Sequence, residues 1–284
     1  MKLHKLEIVF LIFLIQIVRA NDEKIFQTRF HKEIPRKNEK ELKIKISGGT
    51  GVFYILPGSD DKIAVIDGYS EKTTTKNLVN IDYFVEEGIG YLEFEITKVS
   101  SREISSDESW YIKLCNDIPT TLDITLGASK ANIELGGLSL KNLKISTGVS
   151  STKLKFTSPN KITMRKLEIE AGVAKFDGEK LGNAKFRSFN FSGGMGSFDI
   201  DLSGELLNDG ELNFELGFGN LDIYLPKEVG AIITSPSSFL SSRKFDNFYK
   251  RGDKFISFNY ENAQKKINIF IESGLGNVRV RWID

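Results

Sequence analysis

Histidine is almost missing from this sequence, with His4 and His31 the two copies in 284 residues, and cysteine occurs once, at Cys115. A lone cysteine cannot close an internal disulfide, and Cys115, inside WYIKLCN, is expected to be a small buried hydrophobe. With His4 in a leader segment described below, one imidazole is left. That excludes a histidine-rich zinc site, and because His31, near the new N-terminus, reads as a surface residue, no Ser-His-Asp triad or Cys-His pair is expected around it. Proline is low, at six residues. Helical patterning is nearly absent, TTTKNLVNIDYF being the one ambiguous stretch. No apolar run approaches the roughly 20 residues that a membrane-spanning helix needs. Beyond residue 20 the chain carries 36 Lys and Arg against 37 Asp and Glu. A balance so close to neutral leaves no electrostatic footprint for nucleic acid.

The first twenty residues have the layout of a secretory leader. MKLHK is basic, residues 8–18 form an apolar run of 11, and Val18-Arg19-Ala20 suits an expected cut before Asn21. Residues 1–20 are therefore expected to be a signal peptide. The mature chain is expected to be exported, with no membrane span after cleavage, to a bacterial periplasm, cell surface or extracellular space.

Glycine and phenylalanine are abundant, at 25 and 21 residues, and they fall into a repeat. Taking one glycine per copy as an anchor, matching segments centre on Gly49, Gly127, Gly148, Gly172, Gly194, Gly217 and Gly274. Between Gly127 and Gly217 the copies recur every 21 to 24 residues. Five positions before the anchor stand Ile44, Leu122, Leu143, Leu167, Phe189, Leu212 and Ile269. Three before it stand Ile46, Ile124, Ile145, Ile169, Phe191, Phe214 and Ile271. Apolar residues return four and six positions after it, except that Thr152 takes the first place in the Gly148 copy and Gly178 the last in the Gly172 copy. Polar residues fill the intervals, so each copy reads as strand, corner, strand, with one face in and one out. Such a unit cannot bury its apolar face alone but can when stacked on its own kind. The expected fold is all-β: a parallel β-solenoid of 21–24-residue coils, with an antiparallel sandwich as the alternative. The anchor glycines are expected to supply backbone angles that a Cβ disfavours. Residues 21–118 are expected to be an N-terminal β subdomain capping the stack. Residues 119–284 are expected to be the solenoid, with an aromatic insertion at 226–262 that covers an end or a side.

The ordered motifs Trp110 through Pro119, Gly127-Ala128, Leu181 through Ala184, Gly193 through Gly204 and Leu275-Gly276-Asn277 resemble the bacterial toast-rack β-solenoid proteins. These are related to LiaF-like cell-wall-stress domains and to adhesin domains of unknown function. The resemblance covers roughly residues 25–284. It implies a right-handed solenoid of the cell envelope, with no catalytic residues to carry over.

The glycine clusters GGTG and GGMG are not phosphate cradles, because each leads into a second strand rather than a helix N-terminus. No cofactor or metal site is expected. The outward column five residues after the anchor brings up Asp177, Asp199 and Asp222. Stacked on consecutive coils, they would form a carboxylate ladder open to a cation or to acid–base work on a glycan. In the insertion, Phe245, Phe248, Tyr249 and Phe255 alternate with Lys244, Lys250, Arg251 and Lys254, a pattern suited to stacking sugars or to packing a cap. The leading reading is an exported, non-catalytic envelope or surface protein that binds polysaccharide or protein. The alternatives are a carbohydrate lyase or hydrolase using the outward carboxylates, and a periplasmic sensor-type domain of an envelope stress response.

Overall fold

The computed structural model describes residues 28–70, 77–98, 108–236 and 240–284; the expected signal peptide lies outside them. Among the described residues the regular structure is strand, apart from one short 3₁₀ turn at Leu181–Ala184. Seven strands of 15 to 19 residues form the body. They are β2 (Glu41–Pro57), β7 (Thr120–Glu134), β8 (Leu140–Lys155), β9 (Met164–Glu179), β10 (Phe186–Asp201), β11 (Gly210–Pro226) and β16 (Lys265–Ile283). Each pairs in parallel with the next, in register along both halves. The chain is a β-solenoid, one long strand per coil, with its core between the two halves of every strand.

The corner shows in the burial pattern. In β10, Phe189, Phe191 and Gly193 face inward, and the next inward residues are Phe198 and Ile200. The step from Gly193 to Phe198 breaks the period of two, so the strand turns its inner face across the glycines. Phe191 and Phe198, one on each side of the corner, meet with ring centroids 5.3 Å apart. Phe176, Phe189, Phe191 and Phe214 continue these ring contacts from coil to coil. The gap in the repeat at Gly178 is filled by the following turn: a Cβ there would lie 2.7 Å from Leu181.

Both ends are built by adding strands to the two halves separately. At the N-terminal end β5 (Ile89–Lys98) joins the first half of β2 and carries β4 (Asn77–Glu86). The second half of β2 pairs with β6 (Glu108–Leu114), then β3 (Lys62–Ser70) and β1 (Thr28–Pro35). At the other end β12 (Val229–Thr234) joins the first half of β16, followed by β15 (Lys254–Ser257) and β14 (Phe248–Arg251). The second half of β16 receives β13 (Ser241–Phe245). Return turns between coils are tied by buried amides. Asn160 bonds to both backbone groups of Leu140 at 2.8 Å, and Asn183 bridges Phe156 O and Glu205 N. Cys115 is buried with its thiol donating to Asp117, and His31 lies exposed with Nδ1 2.7 Å from Asp67.

The anchor glycines are needed for a different reason from the one expected. None of the seven has a positive φ; the left-handed angles fall two residues later, at Gly51, Gly196, Gly219 and Gly276. What excludes a side chain is the neighbouring coil. A Cβ on Gly127, Gly172, Gly194, Gly217 or Gly274 would sit 2.4 to 2.7 Å from the carbonyl oxygen of the preceding anchor. Gly49, on the first coil, has open space instead. Gly217→Ala is therefore expected to destabilise the fold by about 1–3 kcal/mol in denaturant unfolding. Gly49→Ala should stay within about 0.5 kcal/mol of the parent.

Candidate functional site

The in-register stacking turns every outward position into a column across coils. Five residues after the anchors the column runs Lys153, Asp177, Asp199, Asp222 and Arg279, each opposite the next. The three aspartates do stack on consecutive coils. Cations close the row at both ends: Lys153 lies 3.5 Å from Asp177, while Arg279 bonds Asp222 at 2.7 Å and Arg281 approaches it at 3.5 Å. Lys153 is further shared with Glu179, which also pairs with Lys155. Asp199 stands half-buried in the middle, with a carboxylate on either side. Burial raises its pKa above the ordinary value, and the charges of Asp222 and Asp177 push the same way.

Neighbouring carboxylates on a flat sheet are about 4.8 Å apart along the ladder and point the same way. Catalysis on a glycosidic bond needs two carboxyl groups facing each other across the bond. Among the described residues, no group of three or more His, Cys, Asp or Glu side chains is arranged to hold a metal ion.

The aromatic candidates divide. Phe245, Phe248 and Phe255 are half-buried and pack on the core. Phe245 meets Phe255 edge-on at 4.9 Å, and Phe248 stacks on Trp282 at 5.6 Å. Tyr249 faces out, 41% exposed, with its ring 5.9 Å from that of Phe258.

A further surface feature escapes the strand-by-strand reading. The residue directly after each anchor forms its own column: past Thr50, Ala128, Val149, Val173, Met195, Phe218 and Leu275 pair in sequence along the outer edge of the corner. Val149 to Leu275 are 41 to 62% exposed. Leu240, 66% exposed, prolongs the row, since the next residue, Ser241, pairs with Gly276. The result is an unbroken apolar ridge about 24 Å long. On one side it is bordered by Glu170, Glu215 and Glu272. The signal was present in the sequence, as an apolar residue after six of the seven anchors.

Residues 23–178 match the family model for the N-terminal domain of toast_rack, DUF2154. Residues 178–280 match the C-terminal domain of LiaF, of the cell wall-active antibiotics response. No curated protein matches the sequence. Among solved structures, a "putative cell adhesion protein" from Clostridium sporogenes is similar at 19% identity and a TM-score of 0.47, over 90% of this chain and 100% of that one. A "putative adhesin" from Bacteroides fragilis is similar at 11% identity and a TM-score of 0.41, over 89% and 96% of the two chains.

The carboxylate ladder has a pH signature. Because Asp199 has a raised pKa in the folded chain, its ionisation destabilises the fold above the unfolded-state pKa, and fully so once pH exceeds the folded value. Asp199→Asn is expected to raise the thermal midpoint at pH 7 by on the order of 1–3 °C. The gain should shrink as pH falls through the folded pKa and vanish below about pH 4. Scanning calorimetry across pH checks it.

Proposed function

The chain belongs to the toast-rack family, and on that premise we propose that it is an exported, non-catalytic protein of the bacterial cell envelope that holds a partner on its outer surface. The observation that carries this reading is the corner ridge. Folded monomers seldom leave a contiguous apolar row in water, and such rows mark contact surfaces. Elsewhere the outward columns of the body carry mainly polar or charged side chains, many of them paired between coils: Lys144 bridges Glu168 and Glu170, and Asn220 accepts from Asn277. Val173, Met195 and Phe218 have no such use. An apolar row flanked on one side by carboxylates suits a protein surface better than an anionic lipid surface, which would repel the acidic flank.

The family matches support placement in the envelope, because the LiaF model is described by a cell-wall-active antibiotics response. No helix among the described residues is long and apolar enough to cross a membrane. The non-catalytic reading is supported by the aspartate row, whose outer members are engaged by Lys153, Arg279 and Arg281 rather than set against each other across a cleft.

The test compares the parent with a variant carrying Val173→Thr, Met195→Thr and Phe218→Thr, which keeps β-forming residues at exposed sites. The parent should be retained on isolated envelopes of the producing organism, at least tenfold more strongly than the variant, and protease treatment of the envelopes should remove the difference. Equal retention of parent and variant would overturn the ridge as the contact. Polysaccharide turnover that Asp199→Asn abolishes would overturn the non-catalytic reading.

A further inference from the structure

At the C-terminal end of the stack, the outer face of the first-half sheet holds a shallow groove of about 360 Å³. Its rows cross four strands. Asn213 lies opposite Phe270, Phe270 opposite Thr234, and Thr234 opposite Lys254; one row over, Glu211 lies opposite Asn268. Two features set this patch apart from the rest of the face.

One is Phe270. Its column reads Lys45, Asp123, Lys144, Glu168, Asn190 and Asn213 on the preceding coils, all polar, before the exposed ring appears. The other is unused polarity. Among the described residues, Glu211, Thr234, Lys254 and Asn268 make no side-chain hydrogen bond or ion pair, whereas Lys144 in the middle of the same face binds both Glu168 and Glu170. Asn213 spends an amide proton on Asn190 and keeps its own oxygen. A second aromatic surface, Tyr249 on Phe258, lies on the same face: Tyr249 pairs with Ile256, Ile256 with Ile232, and Ile232 with Asn268. Three strand spacings, about 14 Å, separate it from the β16 strand that carries Phe270.

We propose that this groove binds an oligosaccharide segment. A sugar ring presents a C–H face that packs on an aromatic ring, and hydroxyl groups that each donate and accept. Side-chain amides match those hydroxyls with a donor and an acceptor in one plane, a carboxylate adds acceptors, and an ammonium adds donors. Phe270 is the platform, with Asn213, Asn268 and Glu211 as hydroxyl partners and Lys254 and Thr234 at the far side. A strand laid across the sheet from Phe270 reaches the Tyr249–Phe258 surface. An extended peptide would instead take its hydrogen bonds from an open strand edge, and the backbone beneath this groove is already paired on both sides. The inference rests on the interaction reading above but not on the ridge.

The full chain is titrated calorimetrically with three probes at up to millimolar concentration: chitohexaose, cellohexaose and soluble peptidoglycan strands. Binding of at least one is expected, weakened about tenfold by Phe270→Ala and by Asn268→Ala, and unchanged by Asn220→Ala on the other face. Both groove variants change exposed side chains, so their unfolding midpoints should match the parent. The proposal is overturned if none of the probes binds, or if binding is indifferent to Phe270 and Asn268. Envelope retention of the same groove variants separates the two ideas: retention that persists while every oligosaccharide fails leaves the interaction reading standing and removes the groove.

Discussion

A corner glycine without a Cβ lets its strand pass directly beneath the carbonyl of the glycine one coil earlier, where any other residue would place an atom 2.4 to 3.2 Å from that oxygen. The contact repeats from Gly127 to Gly274, and the rest of the structure follows from it. Coils held this closely at the corner must run in register along both arms, since sliding by one residue would move every inward side chain to the outer face. The phenylalanine column and the buried Asn160 and Asn183 then lock the arms and the return turns to the same spacing.

Register also decides what the surface is. Each outward position becomes a column about 4.8 Å from residue to residue, so a chemical preference at one place in the repeat is written as a stripe on the molecule. Opposite charges in one column neutralise each other, as Lys144 and Glu168 do, and Lys166 on its own strand together with Lys144 holds the Glu168 pKa down to about 2. Like charges in a column have no such relief: burial first, and then the charges of Asp222 and Asp177 on either side, raise the pKa of Asp199. Apolar residues in an outward column have no such resolution within the chain, which leaves the corner ridge available to a partner.

Much of the architecture was legible in the residues. The inward columns, the coil length and the stacking of Asp177, Asp199 and Asp222 follow from period-two alternation counted from an anchor. Four things were not. The anchor glycines look alike on paper whether they serve backbone angle or close approach, and only the neighbouring coil distinguishes Gly217 from Gly49. The ridge hides because the residue after the anchor falls where the alternation changes phase, so Met195 and Phe218 read as core when taken singly. The groove is assembled across the 226–262 insertion, which adds β12 and β15 beside β16; no local pattern connects Lys254 to Asn268 and Asn213. In the insertion, alternation around Phe245 and Phe255 suggested an aromatic surface, whereas these rings face the core and Tyr249 faces out.

One coil register runs unbroken through the insertion, placing Phe218 beside Leu275 although 57 residues separate them. Cys115 is buried, which directs spin labels to introduced cysteines at exposed sites. In a Phe218→Cys, Leu275→Cys chain labelled at both positions, the backbones should lie about 5 Å apart, giving strong dipolar broadening absent from either single-label control. Two independent, unbroadened spectra in a folded double-labelled chain would contradict the account.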